Sequence, residues 1–559
     1  MPTKSFEKAL EQLDGLKKQF SAKSAAQILV VLERITRLRI SDADSLLYLH
    51  ELLLFVRAHP HNTAVLKQAD AMLKTIPQLV LKLQKLNVDL SPLEHPESSG
   101  IAGLPVTDNF SFPIVSWLAQ RTPSEVSFYW DWFEDENRIG EWWPGFMPLL
   151  EEDSLVEANI PFREWLREAR GRKNEVTWLV DQFHKLGKRK AEIFNAQKLY
   201  VKWQYSYEES RTGLPGPNGK VFFHDGPLLQ RRDVQFKDEL NKPPLPVQEL
   251  SPVDGQRAID LARLASTVRY RELYGFTNGD PKSVYQVDLG RGVCLQLISL
   301  PPEKRLPLRA YHSAMIYKNS VPIGYFEGLS FFERMESGFN LYYTFRDGET
   351  AWLYAQILRV MKHLTGVTAF SLDPYQIGFE NEEGIASGAY WFYRKLGFRS
   401  TSKPIQELTE KEETRIATRK NYRTSAATLR RLAHAPMILE LDETRSGDWD
   451  NFQIRNIGFA VQRLMAQQFD GNEEQIRLKA LQTITRVLGI EEQPQDSKSF
   501  SDLAIALFLV PELQRWSNDD KVLLKRIIEA KCKRDESNYL KLLQKHDRLR
   551  EVFLRLGSS

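Results

Sequence analysis

The side chains best placed to do chemistry lie between residues 323 and 398. Glu327 interrupts an otherwise apolar run, Ile323-Gly-Tyr-Phe-Glu-Gly-Leu-Ser-Phe-Phe332. A carboxyl buried in such a strand holds its proton to higher pH, because burial disfavours the charged form, and this brings it toward general-base use. If it faces solvent instead, it is an ordinary surface acid. Downstream, Arg346-Asp347-Gly348-Glu349-Thr350 forms a sharp loop into an apolar-periodic helix that begins at Ala351. The first N–H groups of a helix have no partner within it, and with the helix dipole they favour an anionic group. Asp347 and Glu349 have a plainer use as helix-capping acids.

Other reactive types are scattered. His59-Pro60-His61 has no helical spacing and no companion carboxylate or thiolate, so a turn is expected rather than a metal site. His224-Asp225 lacks a nucleophile beside it. Cys532 lies between Lys531 and Lys533, a setting that lowers a thiol pKa, but no histidine partner is visible. The basic residues between Arg167 and Lys190 are interleaved with Glu164, Glu168, Glu175 and Glu192, the pattern of a solvated helix face.

These residues need a scaffold. Period-2 alternation and turn residues predict strands over 308–317, 323–332 and 339–345, with a polar turn at Glu333 to Gly338. A helix over 351–364 and a strand over 368–372 follow. Upstream, 283–300 gives two strand-like runs about Gly290-Arg-Gly292, and 251–273 is helical. Helix, antiparallel strands, helix, strand, helix is an α+β order.

The whole chain, at 559 residues, is too long for one core. Four regions are expected: an all-helical domain at 1–98, an aromatic-rich α/β region of unclear fold at 99–250, the central domain at 251–403 and a helical domain at 404–559. Pro/Ser/Gly-rich residues 91–105 suggest a linker between the first two. Leu199 to Tyr207 and Val221 to Asp225 resemble paired strands. Ser127 to Phe146 is an acidic aromatic cluster, expected to be core. No fixed period marks a repeat family. Apolar residues make up 42% and charged residues 27%, ordinary for a globular protein. A net charge of +3 gives no global reason to expect nucleic acid. Two distant cysteines are no disulfide scaffold. Met1-Pro-Thr-Lys-Ser lacks an apolar signal core, and no uncharged apolar run reaches the roughly 18–20 residues that span a bilayer. A cytoplasmic, membrane-free protein is expected.

The peptide Ala389-Tyr-Trp-Phe392-Tyr393-Arg-Lys-Leu-Gly397-Phe398 resembles the final peptide of the GNAT superfamily of acetyl-CoA-dependent N-acetyltransferases, Ala-x-x-Phe-Tyr-x-x-x-Gly-Phe. The order of elements from 308 onward is similar to that family's as well. The resemblance implies a mixed sheet flanked by helices, with acetyl-CoA or another acyl-CoA in the splay between the family's fourth and fifth strands. It implies that the pyrophosphate sits at Arg346 to Ala351, involving Arg346, Gly348, Glu349, Thr350 and Ala351. It implies Tyr393 as the general acid that protonates departing CoA, unless that tyrosine merely completes the core. Where the family has an asparagine seven residues before the tyrosine, this chain has Ala386, so Ser387 is the neighbouring CoA contact. The family often draws its base from the fourth strand. No acid occurs in 339–345, which makes Glu327 the first candidate, ahead of Tyr343 and His312. The expected activity is acyl transfer to a small-molecule or protein amine by direct attack. The alternative is a GNAT-like fold kept without catalysis, binding a protein partner through its helical regions.

Overall fold

The computed structural model describes residues 4–132, 162–490 and 497–558, together with Ile139, Trp142 and Phe146. Most of the acidic aromatic stretch 127–146 and most of the loop near 491–498 therefore lie outside the described residues. The chain forms two compact units. The first comprises residues 1–216, 223–226 and 260–277, and the second comprises 217–222, 227–259 and 278–559. Among the described residues no helix is long and apolar enough to cross a membrane.

The first unit opens with five helices, Lys4–Leu16, Ala22–Thr36, Ala43–Ala58, Thr63–Leu73 and Ile76–Lys85. Asp42 caps the third, accepting from Ser45 N at 2.8 Å. His59 ends that helix and stacks on Phe55 with ring centroids 4.5 Å apart. Among the described residues no group of three or more potential ligands is placed to hold a metal.

The expected linker at 91–105 is not a linker. Ile101, Ala102 and Leu104 are buried, Tyr205 donates to Ile101 O at 3.0 Å, and Ala102 N donates to Thr212 Oγ1 at 3.0 Å. Ser99 Oγ donates to Val268 O at 2.9 Å, and Gly100 has φ +83° with Val268 against it. Its Pro, Ser and Gly residues serve a folded turn whose polar groups find partners far along the chain. The break expected at residue 98 thus falls inside the first unit. A small antiparallel sheet, ordered β1(Val106–Asp108)–β3(Val201–Trp203)–β2(Val126–Phe128), completes this unit. The return strand expected at 221–225 does not form. Phe222 N donates instead to the Asn319 side chain at 2.8 Å.

The second unit is built on a nine-stranded sheet. Its strands are β4 Val247–Glu249, β5 Val284–Gly290, β6 Val293–Ser299, β7 Ala310–Lys318, β8 Val321–Phe331, β9 Arg334–Leu341, β10 Ala369–Leu372, β11 Arg399–Ser400 and β12 Met437–Glu440. The order is β11-β12-β10-β9-β8-β7-β6-β5-β4. All neighbours are antiparallel except β9 and β10. The parallel pair is joined by the helix Thr350–Thr365.

Two expectations about this sheet are corrected. The polar residues 333–338 are not a turn. Phe332, at φ +50°, and Glu333 alone reverse the chain, and Arg334 onward is strand. The helical stretch 404–559 is not separate from the sheet either, because β12 inserts between β10 and β11. Its helices also share a core with the end of β8, where Phe331 and Phe332 meet Phe452 and Phe553. The break expected at 403 therefore lies within one packed unit.

Candidate active site at the parting of two parallel strands

β9 and β10 pair over only three residues, from Arg334↔Ala369 to Glu336↔Ser371. β10 ends at Leu372 because Asp373 turns back to accept from Tyr375 N at 2.8 Å and Pro374 has no N–H for a ladder. β9 continues through Ser337 to Leu341 with no strand on that side among the described residues. The sheet therefore opens into a split, one wall of which is a strand edge.

Side chains alternate along β9, so its two faces differ. Met335, Ser337, Phe339 and Leu341 are buried, and Phe339 and Ser337 meet the Thr350–Thr365 helix. Tyr354 of that helix shares a hydrogen bond with Ser337 Oγ at 2.8 Å and stacks on Phe339 at 4.9 Å. Tyr393, from the short helix Ala389–Arg394, packs edge-on against Tyr354 at 5.7 Å and Phe398 at 5.8 Å. The Phe-Tyr-x-x-x-Gly-Phe peptide thus delivers its tyrosine and last phenylalanine to the helix side of the split. Tyr393 is 5% exposed, and burial pushes its phenol pKa up, so it is a protonated donor throughout the neutral range.

Glu327 lies on the opposite face, paired with Gly338 of β9 and Ser313 of β7. Burial raises its carboxyl pKa, while the Tyr311 hydroxyl, donating to Oε1, opposes that shift. A side chain at Gly338 would meet the backbone oxygen and Cβ of Glu327 at 3.8 and 3.9 Å, ordinary contact distances. His312, one residue from Tyr311, faces the other way. It is 3% exposed, and burial lowers its pKa. Tyr343 is 68% exposed in a turn beneath Arg346. Neither joins Glu327.

The loop into the Thr350–Thr365 helix is only partly as expected. Arg346 lies along the open edge of β9, donating from Nε to Leu341 O at 3.1 Å and pairing with Glu383. Gly348 N donates to Phe345 O at 3.0 Å, Thr350 Oγ1 donates to Arg346 O at 3.0 Å, and Ala351 is buried. No side chain caps this helix N-terminus. Glu349 is corrected as a cofactor contact. Its carboxylate turns inward, accepting from Arg291 Nε at 2.9 Å and Leu229 N at 3.0 Å, with Lys318 Nζ at 3.8 Å. Burial alone would raise its pKa, but the Arg291 and Leu229 hydrogen bonds with the Lys318 charge hold it low. The acid that would have repelled a phosphate is thereby neutralised internally. Ser387 is exposed at the end of the helix Glu382–Ser387, with Oγ donating to Gly384 O at 3.2 Å.

A pocket near the same helix is strongly basic. Arg231, Arg232, Lys237 and Lys395 line it, and Arg231 donates to Lys395 O at 3.1 Å. Sequence reasoning missed these residues. It also misses Glu336, an acid on the strand that leads into the split, because the polar residues 333–338 read locally as a turn. The alternation Arg-Met-Glu-Ser-Gly-Phe-Asn-Leu was the available signal. No family model, curated protein or solved structure matches the chain.

Proposed function

We propose that the second unit is an acyl-CoA-dependent N-acyltransferase of GNAT-like design. The observation that carries this reading is the short parallel contact of β9 and β10 followed by their parting, with the connecting helix starting at the mouth of the split. A pantetheine arm carries two amides, and the edge of β9 at Ser337 and Phe339, which faces no strand among the described residues, offers backbone N–H and C=O groups to them. The uncapped helix N-terminus and Arg346 suit a pyrophosphate. The Arg231–Lys395 pocket offers further positive charge.

In this reading the acceptor is a small-molecule or protein amine. Glu327 takes a proton from its ammonium group, and the free amine attacks the thioester carbonyl. The attacking nitrogen loses its remaining surplus proton to solvent, and the tetrahedral intermediate collapses with loss of CoA thiolate, which Tyr393 protonates. The two free thiols, Cys294 and Cys532, suit the cytoplasmic location this chemistry implies.

The test is acetyl-CoA turnover against a panel of amines, wild type beside Tyr393→Phe. The variant is expected to lose about 10²-fold, the scale of one acid/base group. Unchanged turnover would remove Tyr393 from the mechanism.

A second reading, a fold kept as a scaffold for a protein partner, draws on one observation: Tyr393 is nearly closed off from solvent. It predicts no turnover with any amine and capture of a partner by the helical regions.

A further inference from the structure

The face of the sheet that carries Glu327 also carries a cleft of about 370 Å³. Its floor is the strand end where Leu329 pairs with Glu336 and Phe331 with Arg334. Three arginines reach it: Arg309, just before β7; Arg334, first in β9; and Arg455, in the first turn of the helix Ile454–Phe469.

The guanidinium groups are under-used. Arg309 and Arg334 both flank Glu336, each at 3.9 Å, beyond hydrogen-bond reach. Arg334 donates from Nε to Ser371 Oγ at 2.9 Å, and among the described residues its other nitrogens have no acceptor. Arg455 has no ion pair or hydrogen bond among those residues. Asp373, the other acid of the wall, already accepts from Tyr375 N. Positive charge therefore exceeds negative in the cleft, which three arginines and two acids line.

The remaining wall is aromatic. Arg334 lies over Trp449 and Phe452, both centroids at 5.7 Å, and Phe331 closes the same side. Both rings flank the Arg334 guanidinium, and the residue lines the cleft. A planar guanidinium held in this way receives carboxylate or phosphate in bidentate fashion.

We propose that this cleft is a binding site for a small ligand bearing an anionic group, a carboxylate or a phosphate, on an aromatic or apolar body. Arg309 and Arg334 receive the anion, Arg455 adds to the field, and Trp449, Phe452 and Phe331 cover the apolar part. The assignment does not rest on acyl transfer. It concerns a site that needs no CoA.

The experiment is calorimetric titration of the full chain, without CoA, by 3-phenylpropanoate, phenyl phosphate and the neutral 3-phenylpropanamide. It is repeated on Arg309→Gln and Arg455→Gln, both at partly exposed positions, and on Arg334→Lys, which keeps the charge and loses the fork. Saturable binding of at least one acid is expected, with a Kd below about 1 mM. The amide, Arg309→Gln and Arg334→Lys are each expected to bind about tenfold or more weakly, the scale of one charged hydrogen bond. The stronger of the two acids identifies the anion as carboxylate or phosphate. Failure of both acids to saturate by about 10 mM, equal binding of the amide, or undiminished binding to folded Arg309→Gln would overturn the assignment.

Discussion

Replacing Glu327 by glutamine is expected to slow acyl transfer by about 10²- to 10⁴-fold, the range for a lost general base. The substitution keeps the size of the side chain and a hydrogen-bond acceptor for Tyr311, so the sheet stays intact. What it removes is the carboxyl on that face of β8, opposite Gly338. The pH profile adds a check that a structural effect would not imitate. A base acts only when deprotonated, so the wild-type rate rises with pH through the Glu327 pKa. Burial has moved that pKa above the ordinary carboxylate value, although Tyr311 limits the shift. The variant is expected to lose this ascending limb as well as the rate. A rate within about threefold of wild type would show that the base is elsewhere, with Glu336 next in line.

Glu333→Ala is expected to destabilise the second unit by roughly 3–5 kcal/mol, the scale for breaking a buried ion pair by removing one partner. Glu333 sits in the tight reversal between β8 and β9 and is 5% exposed. Its carboxylate accepts from Arg550 Nε at 2.8 Å and 3.0 Å and from Trp449 Nε1 at 2.8 Å, with Arg445 at 3.6 Å. Its carbonyl oxygen accepts from Thr368 N and Ala369 N, where β10 begins. One residue thus ties the reversal to β10 through its backbone and to the helix Asp547–Ser558 through its side chain. With the carboxylate gone, the acid left to Arg550 among the described residues is Asp448, at 2.9 Å, and Arg550 is itself buried. The expected observation is a lower urea midpoint with little change in slope. A loss below about 1 kcal/mol would mean that Asp448 and water replace Glu333 without difficulty.

This residue also shows why some of the structure was legible in the sequence and some was not. In isolation Glu333-Arg-Met-Glu-Ser-Gly looks like a polar turn, because its acids and glycine are exposed by local rules. The partners that bury Glu333 lie at Trp449 and Arg550, more than a hundred residues away. Once Phe332 adopts its left-handed backbone, the turn needs only two residues and the rest becomes strand. The four-residue β12 was invisible for a similar reason. Met437–Glu440 has no hairpin partner nearby, and only β10 and β11 give it a place. The same holds for 91–105, whose turn residues are satisfied from Thr212 and Val268.

Features fixed by near neighbours were read correctly. The β5–β6 hairpin about Gly290-Arg-Gly292 and the Thr350–Thr365 helix both follow from local periodicity and turn chemistry. Tyr393 and Glu327 could be named from the sequence because each belongs to a strongly patterned element, but the sheet separates them, with Glu327 on β8 facing away from the Tyr354–Tyr393 side. Glu349 was not, since its partners Arg291 and Lys318 come from other strands and loops. The cleft arginines were missed for the same cause. Arg309, Arg334 and Arg455 are unremarkable one by one, and only the sheet brings them together.

The central claim is that the split between β9 and β10 holds an acyl-CoA. Calorimetric titration of the protein with acetyl-CoA and with desulfo-CoA tests it most directly. The account predicts binding near the micromolar range. It also predicts a clear weakening when Gly348, beside the uncapped helix terminus, is replaced by tryptophan. No binding of either compound at millimolar concentration would contradict the account and leave the scaffold reading in its place.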